Sequence, residues 1–314
     1  MPGPLLVFAG RSNPTFAQAV CETLAVSPGK IDVVQFSDGE LSVEIGDNVR
    51  GGDVFVLQST CNPGNDHLME LLIIIDALKR SSAGRITAAI PYFGYSRQDR
   101  KVKPRVPITA KLVADMLTTA GADRVLTMDL HAGQTMGFFD IPVDNMYALP
   151  TMLPYLRSKF GVEGVTIVSP DVGGLERARL VATRLDNCPL AVIDKRRGGV
   201  NRVASMSVVG DVAGQTCIIV DDIADTGGTL VKAAETLIKA GAKRVIACCV
   251  HPVLSGESRS RLRASPIEEV IVTDTIPHTN FDSADRITVL SVAPVFAEAI
   301  RRIHSDDSVS SLFS

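Results

Sequence analysis

Short runs of valine and isoleucine alternate along this chain with longer stretches in which apolar residues recur at helical spacing. This alternation is typical of parallel β-strands whose crossover connections are helices. It predicts the α/β class, with mainly parallel sheets flanked by helices. The predicted strands are residues 5–9, 54–58, 86–91, 125–129, 165–169, 217–221 and 245–250.

One helix is predicted over residues 66–82. Its apolar face consists of Leu68, Leu71, Leu72, Ile75 and Leu78. Asp66 is a residue type that caps helix starts, so it is the expected N-cap. The apolar face is expected to pack into an ordinary core.

Two stretches repeat the same pattern 120 residues apart: residues 120–125 read AGADRV and residues 240–245 read AGAKRV. In each, a helix is expected to end at glycine and a strand to begin at once. This predicts two similarly built domains, although a common helix–glycine–strand turn could also recur by chance. Prolines near residue 150 indicate a break in regular structure between the domains. The expected division is therefore 1–150, 151–303 and a tail at 304–314.

Composition excludes several classes of protein. The 314 residues exceed what one core usually organises, and a hydrophobic content of 46% excludes intrinsic disorder. A net charge of −3 argues against nucleic acid or an anionic membrane as partner. No apolar run approaches the roughly 20 residues that span a bilayer, and no export signal opens the sequence. The six cysteines form no C-x-x-C pair, so a reducing cytoplasm is expected.

The most informative segment, residues 217–229, reads CIIVDDIADTGGT. An apolar strand leads to Asp221 and Asp222, then to a loop of small residues and the start of a helix. Glycines let the backbone approach an anion, and helix-start amides with the hydroxyls of Thr226 and Thr229 can donate to phosphate oxygens. The carboxylates can accept from sugar hydroxyls. This predicts a sugar-phosphate site; the alternative is an ordinary helix start beside a fortuitous acidic pair.

Two cationic segments could bind phosphate. Residues 97–105 hold five basic side chains against one acid, in a stretch that does not favour helix. Lys195, Arg196 and Arg197 precede two glycines, a pattern typical of a mobile hairpin. Either segment could equally be a solvated loop. The patterns GxxxxGK[ST] and GxGxxG do not occur, which argues against P-loop and Rossmann nucleotide sites.

Asp129 and His131 lie two residues apart at the end of a predicted strand. Their side chains are therefore expected to share a face at the carboxyl edge, where α/β sheets bind ligands. Mg²⁺ prefers oxygen ligands, so chemistry alone favours a structural role for His131. The remaining histidines, at 67, 251, 278 and 304, are expected to be structural.

The loop at residues 221–229 resembles the ribose-phosphate loop of type I phosphoribosyltransferases and, more closely, that of ribose-phosphate pyrophosphokinases. FSDGE at 36–40 resembles the adenine-binding hairpin of the pyrophosphokinases, and PYFGYSRQDRK at 91–101 resembles their ATP-binding flexible loop. Further matches to this family are TMDLH at 127–131, SPDVGG at 169–174, KRR at 195–197 and SVSSLF at 308–313. The resemblance therefore runs from end to end of the chain. It implies two similar domains of the type I phosphoribosyltransferase fold.

The resemblance implies transfer of the β,γ-diphosphoryl group of ATP to the anomeric hydroxyl of ribose 5-phosphate, with Mg²⁺. The products would be AMP and 5-phosphoribosyl 1-diphosphate, for nucleotide, histidine and tryptophan biosynthesis. The implied ATP contacts are Phe36, Asp38, Gly39, Glu40, Arg97 and Gln98. The implied ribose 5-phosphate contacts are Arg197, Asp221, Asp222, Asp225, Thr226, Gly227, Gly228 and Thr229. The implied catalytic residues are Lys195 and Arg197, and the implied metal contacts are His131 and Asp171.

The resemblance also implies a homohexamer, activation by inorganic phosphate and inhibition by ADP. The implied regulatory phosphate contacts are Asn48, Arg50, Ser308 and Ser310, and Asn48 stands where some members have serine. Two alternatives remain open. One is a type I phosphoribosyltransferase, which would leave segments 36–40 and 91–101 unexplained. The other is a non-catalytic regulatory subunit, although the implied catalytic groups are present and no long insertion interrupts the motifs.

Overall fold

The computed structural model describes residues 3–196, 205–277 and 281–312. These divide into two compact units. Unit 1 contains residues 3–148, 274–277 and 291–312, and unit 2 contains residues 149–273 together with 281–290 where the structure describes them. Both units have a mainly parallel sheet with helices on it, which confirms the predicted fold class.

Unit 1 is built on a five-stranded parallel sheet. In spatial order its strands are β1 (Leu5–Ala9), β4 (Asp53–Leu57), β5 (Arg85–Ile90), β6 (Arg124–Met128) and β7 (Val143–Met146). A separate antiparallel hairpin joins β2 (Ile31–Gln35) to β3 (Leu41–Ile45). The helices are α1 (Pro14–Leu24), α2 (Gly64–Arg80), α3 (Thr109–Ala120) and α8 (Ala293–His304).

Unit 2 is built on a seven-stranded sheet in which the described strands pair in parallel, except at one edge, where the first two strands in the order below are antiparallel. In spatial order its strands are β10 (Ser205–Val209), β9 (Leu190–Arg196), β8 (Val165–Ser169), β11 (Thr216–Ala224), β12 (Arg244–Pro252), β13 (Ile267–Thr273) and β14 (Ile287–Leu290). The helices are α4 (Leu149–Phe160), α5 (Leu175–Arg184), α6 (Gly228–Lys239) and α7 (Ser258–Arg263).

The predicted strands all form, and the differences lie at their ends. β4, β5 and β6 each begin and end one residue earlier than predicted. β11 does not end at the acidic pair but continues to Ala224, because β12 extends alongside it and pairs Ile223 with His251 and Ala224 with Pro252. Partner strands thus set strand length, which a hydrophobic run alone does not reveal.

The predicted helix at 66–82 forms as α2, but two residues earlier and with a different start. Pro63 is its N-cap, and Asp66 lies in the first turn without capping it. There its negative charge still favours the helix start. The predicted apolar face is confirmed: Leu68, Leu71, Ile75 and Leu78 are buried, and Leu72 packs against the same core.

The repeated helix–glycine–strand turn is confirmed at both predicted places. Gly121 and Gly241 follow α3 and α6 with φ of +120° and +92°, in the region that favours glycine. β6 and β12 begin three residues later.

The last helix departs from the predicted domain division, because α8 belongs to unit 1 and not to the C-terminal domain. It packs on α1, where Phe296 meets Phe16 edge to face with ring centroids 5.6 Å apart. Its C-terminal end is held by a buried carboxylate, Asp53, which accepts from Arg85 at 2.7 Å and contacts His304 Nδ1 at 2.8 Å. Within the described ranges, no helix is both long and apolar enough to cross a membrane.

Candidate functional site: the carboxyl edge of the unit 2 sheet

The strand order of unit 2 reverses between β8 and β11. From β8 the chain adds β9 and β10 on one side of the sheet and then returns to place β11 on the other. Adjacent connections leave such a point in opposite directions, which opens a crevice at the carboxyl ends of the two strands. Asp171 follows β8, and Asp221 and Asp222 lie near the end of β11. The topology therefore brings these predicted site residues to one edge of the sheet.

Arg177 is a cationic neighbour of both members of the acidic pair. Arg177 of α5 approaches Asp222 at 3.3 Å and Asp221 at 3.7 Å. Asp221 also accepts from the backbone N–H of Asp222 at 2.9 Å. Burial, and next the charge of Asp222, raise the pKa of Asp221 to about 7, although Arg177 acts in the opposite direction. Burial thus disfavours the ionised form of Asp221 even with Arg177 beside it, and a hydroxyl donor or a cation would suit the site.

The loop after β11 turns sharply into α6. Gly227 is the N-cap of α6 with φ of +74°, and no side chain caps the helix. A Cβ at Gly227 would lie 3.3 Å from Leu262 Cγ, so both conformation and space favour glycine here. The first amides of α6 have no partner within the helix, and the positive end of the helix dipole lies at the same place. This geometry suits a phosphate group.

The loop after β8 forms a second helix start at this edge. Asp171 Oδ1 accepts from Gly174 N at 3.1 Å, and Ser169 Oγ donates to the carbonyl of Asp171 at 2.6 Å. Gly174 is the N-cap of α5, which again has no side-chain cap. The loop is therefore held in place by its own hydrogen bonds.

The carboxylates of this edge fit Mg²⁺ by their chemistry. Mg²⁺ takes few protein carboxylates and otherwise waters and phosphate oxygens. Burial and the charge of Asp222 raise the pKa of Asp221, and a divalent cation beside the pair would favour its ionised form. Among the described residues there is no group of three or more His, Cys, Asp and Glu that could hold a metal ion. A cation here would thus depend on a ligand for part of its coordination.

The β2–β3 hairpin of unit 1 carries the predicted adenine-binding segment at its turn. Phe36 N donates to Glu40 O at 2.8 Å, Gly39 N donates to Phe36 O at 2.9 Å, and Asp38 accepts from Glu40 N at 3.1 Å. Phe36 is 53% exposed, although a large aromatic side chain is usually buried. An open cleft of about 350 Å³ lies beside the turn and against α2.

Residues 91–108 contain neither helix nor strand, which agrees with the prediction that residues 97–105 do not favour helix. Gln98 is fixed at the start of α3, since its Oε1 accepts from Thr109 Oγ1 at 2.6 Å and its carbonyl from Ala110 N at 3.2 Å. Arg97, next to it, is exposed. The structure thus presents Arg97 on an anchored loop of unit 1.

The prediction that Asp129 and His131 share a face is wrong. β6 ends at Met128, and Asp129 has φ of +41°, so strand alternation does not extend to these residues. Asp129 is buried and its Oδ2 accepts from Ala148 N at 2.7 Å, whereas His131 is exposed. Asp129 therefore fixes the chain around β7, and His131 is the accessible member of the two.

The remaining predicted residues are only partly described. Lys195 lies in β9 opposite Met206 of β10, but its side chain and all of Arg197 lie outside the described residues, as does His278. Asn48 accepts from Arg50 N at 3.2 Å, and the hydroxyls of Ser308 and Ser310 are 2.8 Å apart. These four residues belong to unit 1.

Sequence reasoning missed two arginines of unit 2 that touch the predicted site. Arg177 contacts the acidic pair, and Arg261 Nη1 donates to the carbonyl of Thr226 at 2.6 Å. Each lies on a helix that carries two other arginines, so no local pattern distinguishes them. The pattern repeated at residues 120–125 and 240–245 does not identify these arginines either, because it contains neither of them.

A parallel sheet with an acidic pair and a glycine-bearing helix start at its switch point defines an α/β protein that binds phosphorylated small molecules. Residues 5–121 match the N-terminal domain of ribose phosphate pyrophosphokinase, and residues 197–314 match the phosphoribosyl synthetase-associated domain. The ribose-phosphate pyrophosphokinase of Rhizobium meliloti is 55% identical over 308 residues, which are 98% of this chain and 99% of the relative. That of Chromobacterium violaceum is 56% identical over 312 residues, 99% of this chain and 95% of the relative.

A solved structure of a similar enzyme agrees with these sequence matches. The crystal structure of phosphoribosylpyrophosphate synthetase from Mycobacterium smegmatis is 46% identical, with a TM-score of 0.91 over 96% of this chain and 99% of that chain. This chain therefore belongs to the ribose-phosphate pyrophosphokinase family. The family predicted from the sequence motifs is confirmed, as is the prediction that the chain is an enzyme.

Proposed function

We propose that this chain transfers the β,γ-diphosphoryl group of ATP to the anomeric hydroxyl of ribose 5-phosphate. The hydroxyl oxygen bonds to the β-phosphorus, the bond from that phosphorus to the α,β-bridging oxygen breaks, and AMP leaves with the electron pair. The hydroxyl proton is released. The single observation that carries the proposal is the acidic pair followed by an uncapped, glycine-bearing helix start at the switch point of unit 2.

In this proposal the loop Asp225–Thr229 holds the 5-phosphate. Amides at the start of α6 and the hydroxyls of Thr226 and Thr229 donate to its oxygens, while Asp221 and Asp222 accept from the ribose hydroxyls. The sugar is thereby oriented at both ends. Orientation matters here because phosphoryl transfer depends chiefly on the relative position of the reacting groups and on compensation of the negative charge on the phosphates.

The ATP contacts are proposed on unit 1. Phe36 offers an exposed ring for the adenine, with Asp38, Gly39 and Glu40 beside it, and Arg97 and Gln98 contact the polyphosphate. His131 and Asp171 are the proposed metal contacts. Bound there, Mg²⁺ would compensate the negative charge of the phosphate groups. Lys195 and Arg197 are proposed to stabilise the charge on the transferring group and to exclude water.

Assembly, regulation and location are proposed from the family alone. The chain is proposed to form a homohexamer, to be activated by inorganic phosphate and to be inhibited by ADP. Asn48, Arg50, Ser308 and Ser310 are the proposed contacts for regulatory phosphate. A cytoplasmic location is supported by six cysteines that are all buried free thiols. Mass measurement in solution tests the hexamer.

The test is incubation of the full chain with ATP, Mg²⁺ and ribose 5-phosphate, without any nucleobase, with and without inorganic phosphate. We expect AMP in proportion to ribose 5-phosphate consumed, and a higher rate with phosphate. Lys195→Ala is expected to lose most turnover while it still binds ribose 5-phosphate. Absence of AMP here, with a nucleotide and pyrophosphate formed once 5-phosphoribosyl 1-diphosphate and a nucleobase are supplied, would point to a phosphoribosyltransferase. Absence of turnover with either set of substrates would point to a regulatory subunit.

A further inference from the structure

A segment of unit 2 packs against the proposed 5-phosphate loop and contacts three of its consecutive residues. We call residues Leu254–Leu262, which follow β12 and include most of α7, the supporting segment. Its hydrogen bonds join Leu254 to Ala224, Ser255 to Asp225 and Arg261 to Thr226. Leu262 then lies against Gly227, 3.3 Å from where a Cβ would be. The loop therefore takes its shape from a segment about 30 residues away in sequence.

Arg261 differs from the other arginines of α7 in its partner. Arg259 and Arg263 both form ion pairs with the buried carboxylate of Asp285, and Arg263 also pairs with Asp282. Within the part of the chain that the structure describes, the guanidinium of Arg261 has only the neutral carbonyl of Thr226 as polar partner, at 2.6 Å. Its positive charge is therefore not compensated at the loop.

The bond to the Thr226 carbonyl fixes the direction of the next amide. A peptide unit is planar and trans, so the carbonyl of Thr226 and the N–H of Gly227 point in opposite directions. With the carbonyl held by Arg261, that N–H faces away from the supporting segment. Arg261 Nη1 also lies 3.9 Å from where a Cβ of Gly228 would be, close to the positive end of the α6 dipole.

We propose that Arg261 is a positioning residue for the phosphate group of ribose 5-phosphate. It holds the peptide between Thr226 and Gly227 so that the loop amides are already directed towards the phosphate. Its uncompensated charge adds to the field that attracts the anion. This inference rests on the proposed function, since it takes the loop to be the 5-phosphate site. It assigns a role to a residue outside the sequence motif of that site.

The experiment compares three variants of the full chain in the AMP assay and by calorimetry with ribose 5-phosphate alone. In Arg261→Met the donor and the charge are lost while the exposed aliphatic stem remains. We expect its KM and Kd for ribose 5-phosphate to rise about tenfold, with the KM for ATP changed less than about twofold. Arg261→Lys keeps the charge and an N–H group that can donate to the Thr226 carbonyl, and is expected to recover to within about threefold of wild type.

Arg263→Met is the matched control on the same helix, and we expect it to lower thermal stability without changing the KM for ribose 5-phosphate. The proposal is overturned if Arg261→Met leaves that KM within about twofold of wild type, if it raises the KM for both substrates equally, or if Arg263→Met has the same effect. Thr229→Val tests the loop itself. If the KM for ribose 5-phosphate is unchanged in Thr229→Val, the site assignment fails; if wild type forms no AMP, the function fails.

Discussion

At the scale of single residues, Asp221 combines a predicted role in sugar binding with a perturbed acidity. Its pKa is raised to about 7, first by burial and then by the neighbouring charge of Asp222. Below this pH the pair holds an additional proton and accepts hydrogen bonds from sugar hydroxyls less well. The chemistry of the site should therefore depend on pH near neutrality.

We expect kcat/KM for ribose 5-phosphate to rise with pH through about 7 and then to level off. Asp221→Asn should lower kcat/KM at pH 8 by about tenfold to a hundredfold and remove this rise, because an amide accepts more weakly than a carboxylate. The measurement is a pH profile from pH 6 to about 9. Asp32→Asn, at an exposed position on β2, is the control and should retain the wild-type profile. A wild-type profile in Asp221→Asn would contradict the assignment.

The raised pKa of Asp221 also affects stability, which should fall with rising pH where kcat/KM rises. Because the folded-state pKa lies above the ordinary value of 3.8, the folded protein binds more protons than the unfolded chain between that pH and about 7. The free energy of unfolding therefore falls as pH rises through this window. Asp221→Asn should melt higher than wild type at pH 8, by about 2 °C or more, and the difference should disappear towards pH 4. A constant difference across this range would exclude the raised pKa.

Gly227 tests the geometry of the phosphate loop. Gly227→Ala should raise the KM for ribose 5-phosphate about tenfold, because the added methyl group meets Leu262 and strains a φ of +74°. Gly214→Ala is the matched control, since Gly214 has a similar φ of +71° but no atom within 4 Å of the added methyl group. It should cost about 1 kcal/mol in stability and leave the KM unchanged. Equal KM values in both variants would remove Gly227 from the site.

The acidic pair and the threonine–glycine loop could be predicted from sequence because they are contiguous and their order has a chemical meaning. Arg177 and Arg261 could not, because they reach the site from helices elsewhere in unit 2. The relation between Asp129 and His131 was predicted wrongly because strand alternation was extended past the last residue of β6. A single residue with positive φ is enough to end that regularity.

At the scale of secondary-structure elements, a buried carboxylate connects α4 to two strands of unit 2. Glu269 Oε1 accepts from Tyr155 Oη at 2.6 Å, from Lys159 Nζ at 2.7 Å and from the hydroxyl of Thr288. Burial alone would raise the pKa of Glu269, but the hydrogen bonds from Lys159, Thr288 and Tyr155 outweigh it and lower the pKa. The cluster thus stabilises the ionised form, which in turn holds α4 on the sheet.

Glu269→Gln should cost about 2 kcal/mol of unfolding free energy at pH 7, because it weakens three hydrogen bonds to one charged oxygen. A lowered folded-state pKa contributes stability above the unfolded value of about 4.5, and this contribution is lost as pH falls through the lowered pKa. Denaturant titrations at pH 7 and below pH 4 should show a difference that shrinks on acidification. Glu268→Gln, whose exposed carboxylate pairs with Arg244, should change stability by less than about 0.5 kcal/mol. Similar losses in both variants would contradict this account.

The positions of seven strands and of α2 could be predicted, whereas their ends and partners could not. Valine-rich runs and helical periodicity locate an element, but the neighbouring strand decides where hydrogen bonding stops, as β11 and β12 show. Likewise, α8 has a buried face, but its own sequence does not indicate which core receives that face. Its contacts with α1 and Asp53 depend on residues that are about 250 or more positions away.

At the scale of the whole molecule, the two units share a parallel sheet and a repeated helix–glycine–strand turn, but they carry different chemistry. Unit 1 presents an exposed aromatic hairpin and a cationic loop, and unit 2 presents the acidic pair and the phosphate loop. The proposed reaction needs a nucleotide and a sugar phosphate, so a division of binding between the units fits the division of motifs along the chain.

The central claim is that a diphosphoryl group, and not a single phosphoryl group, moves from ATP to ribose 5-phosphate. The most direct measurement is ³¹P NMR of the products formed by the full chain from ATP, Mg²⁺ and ribose 5-phosphate without a nucleobase. We predict that the β- and γ-phosphorus signals of ATP disappear together as AMP and a sugar-linked diphosphate appear in equal amounts. Formation of ADP with a sugar bisphosphate, or of free pyrophosphate without a sugar diphosphate, would contradict the account.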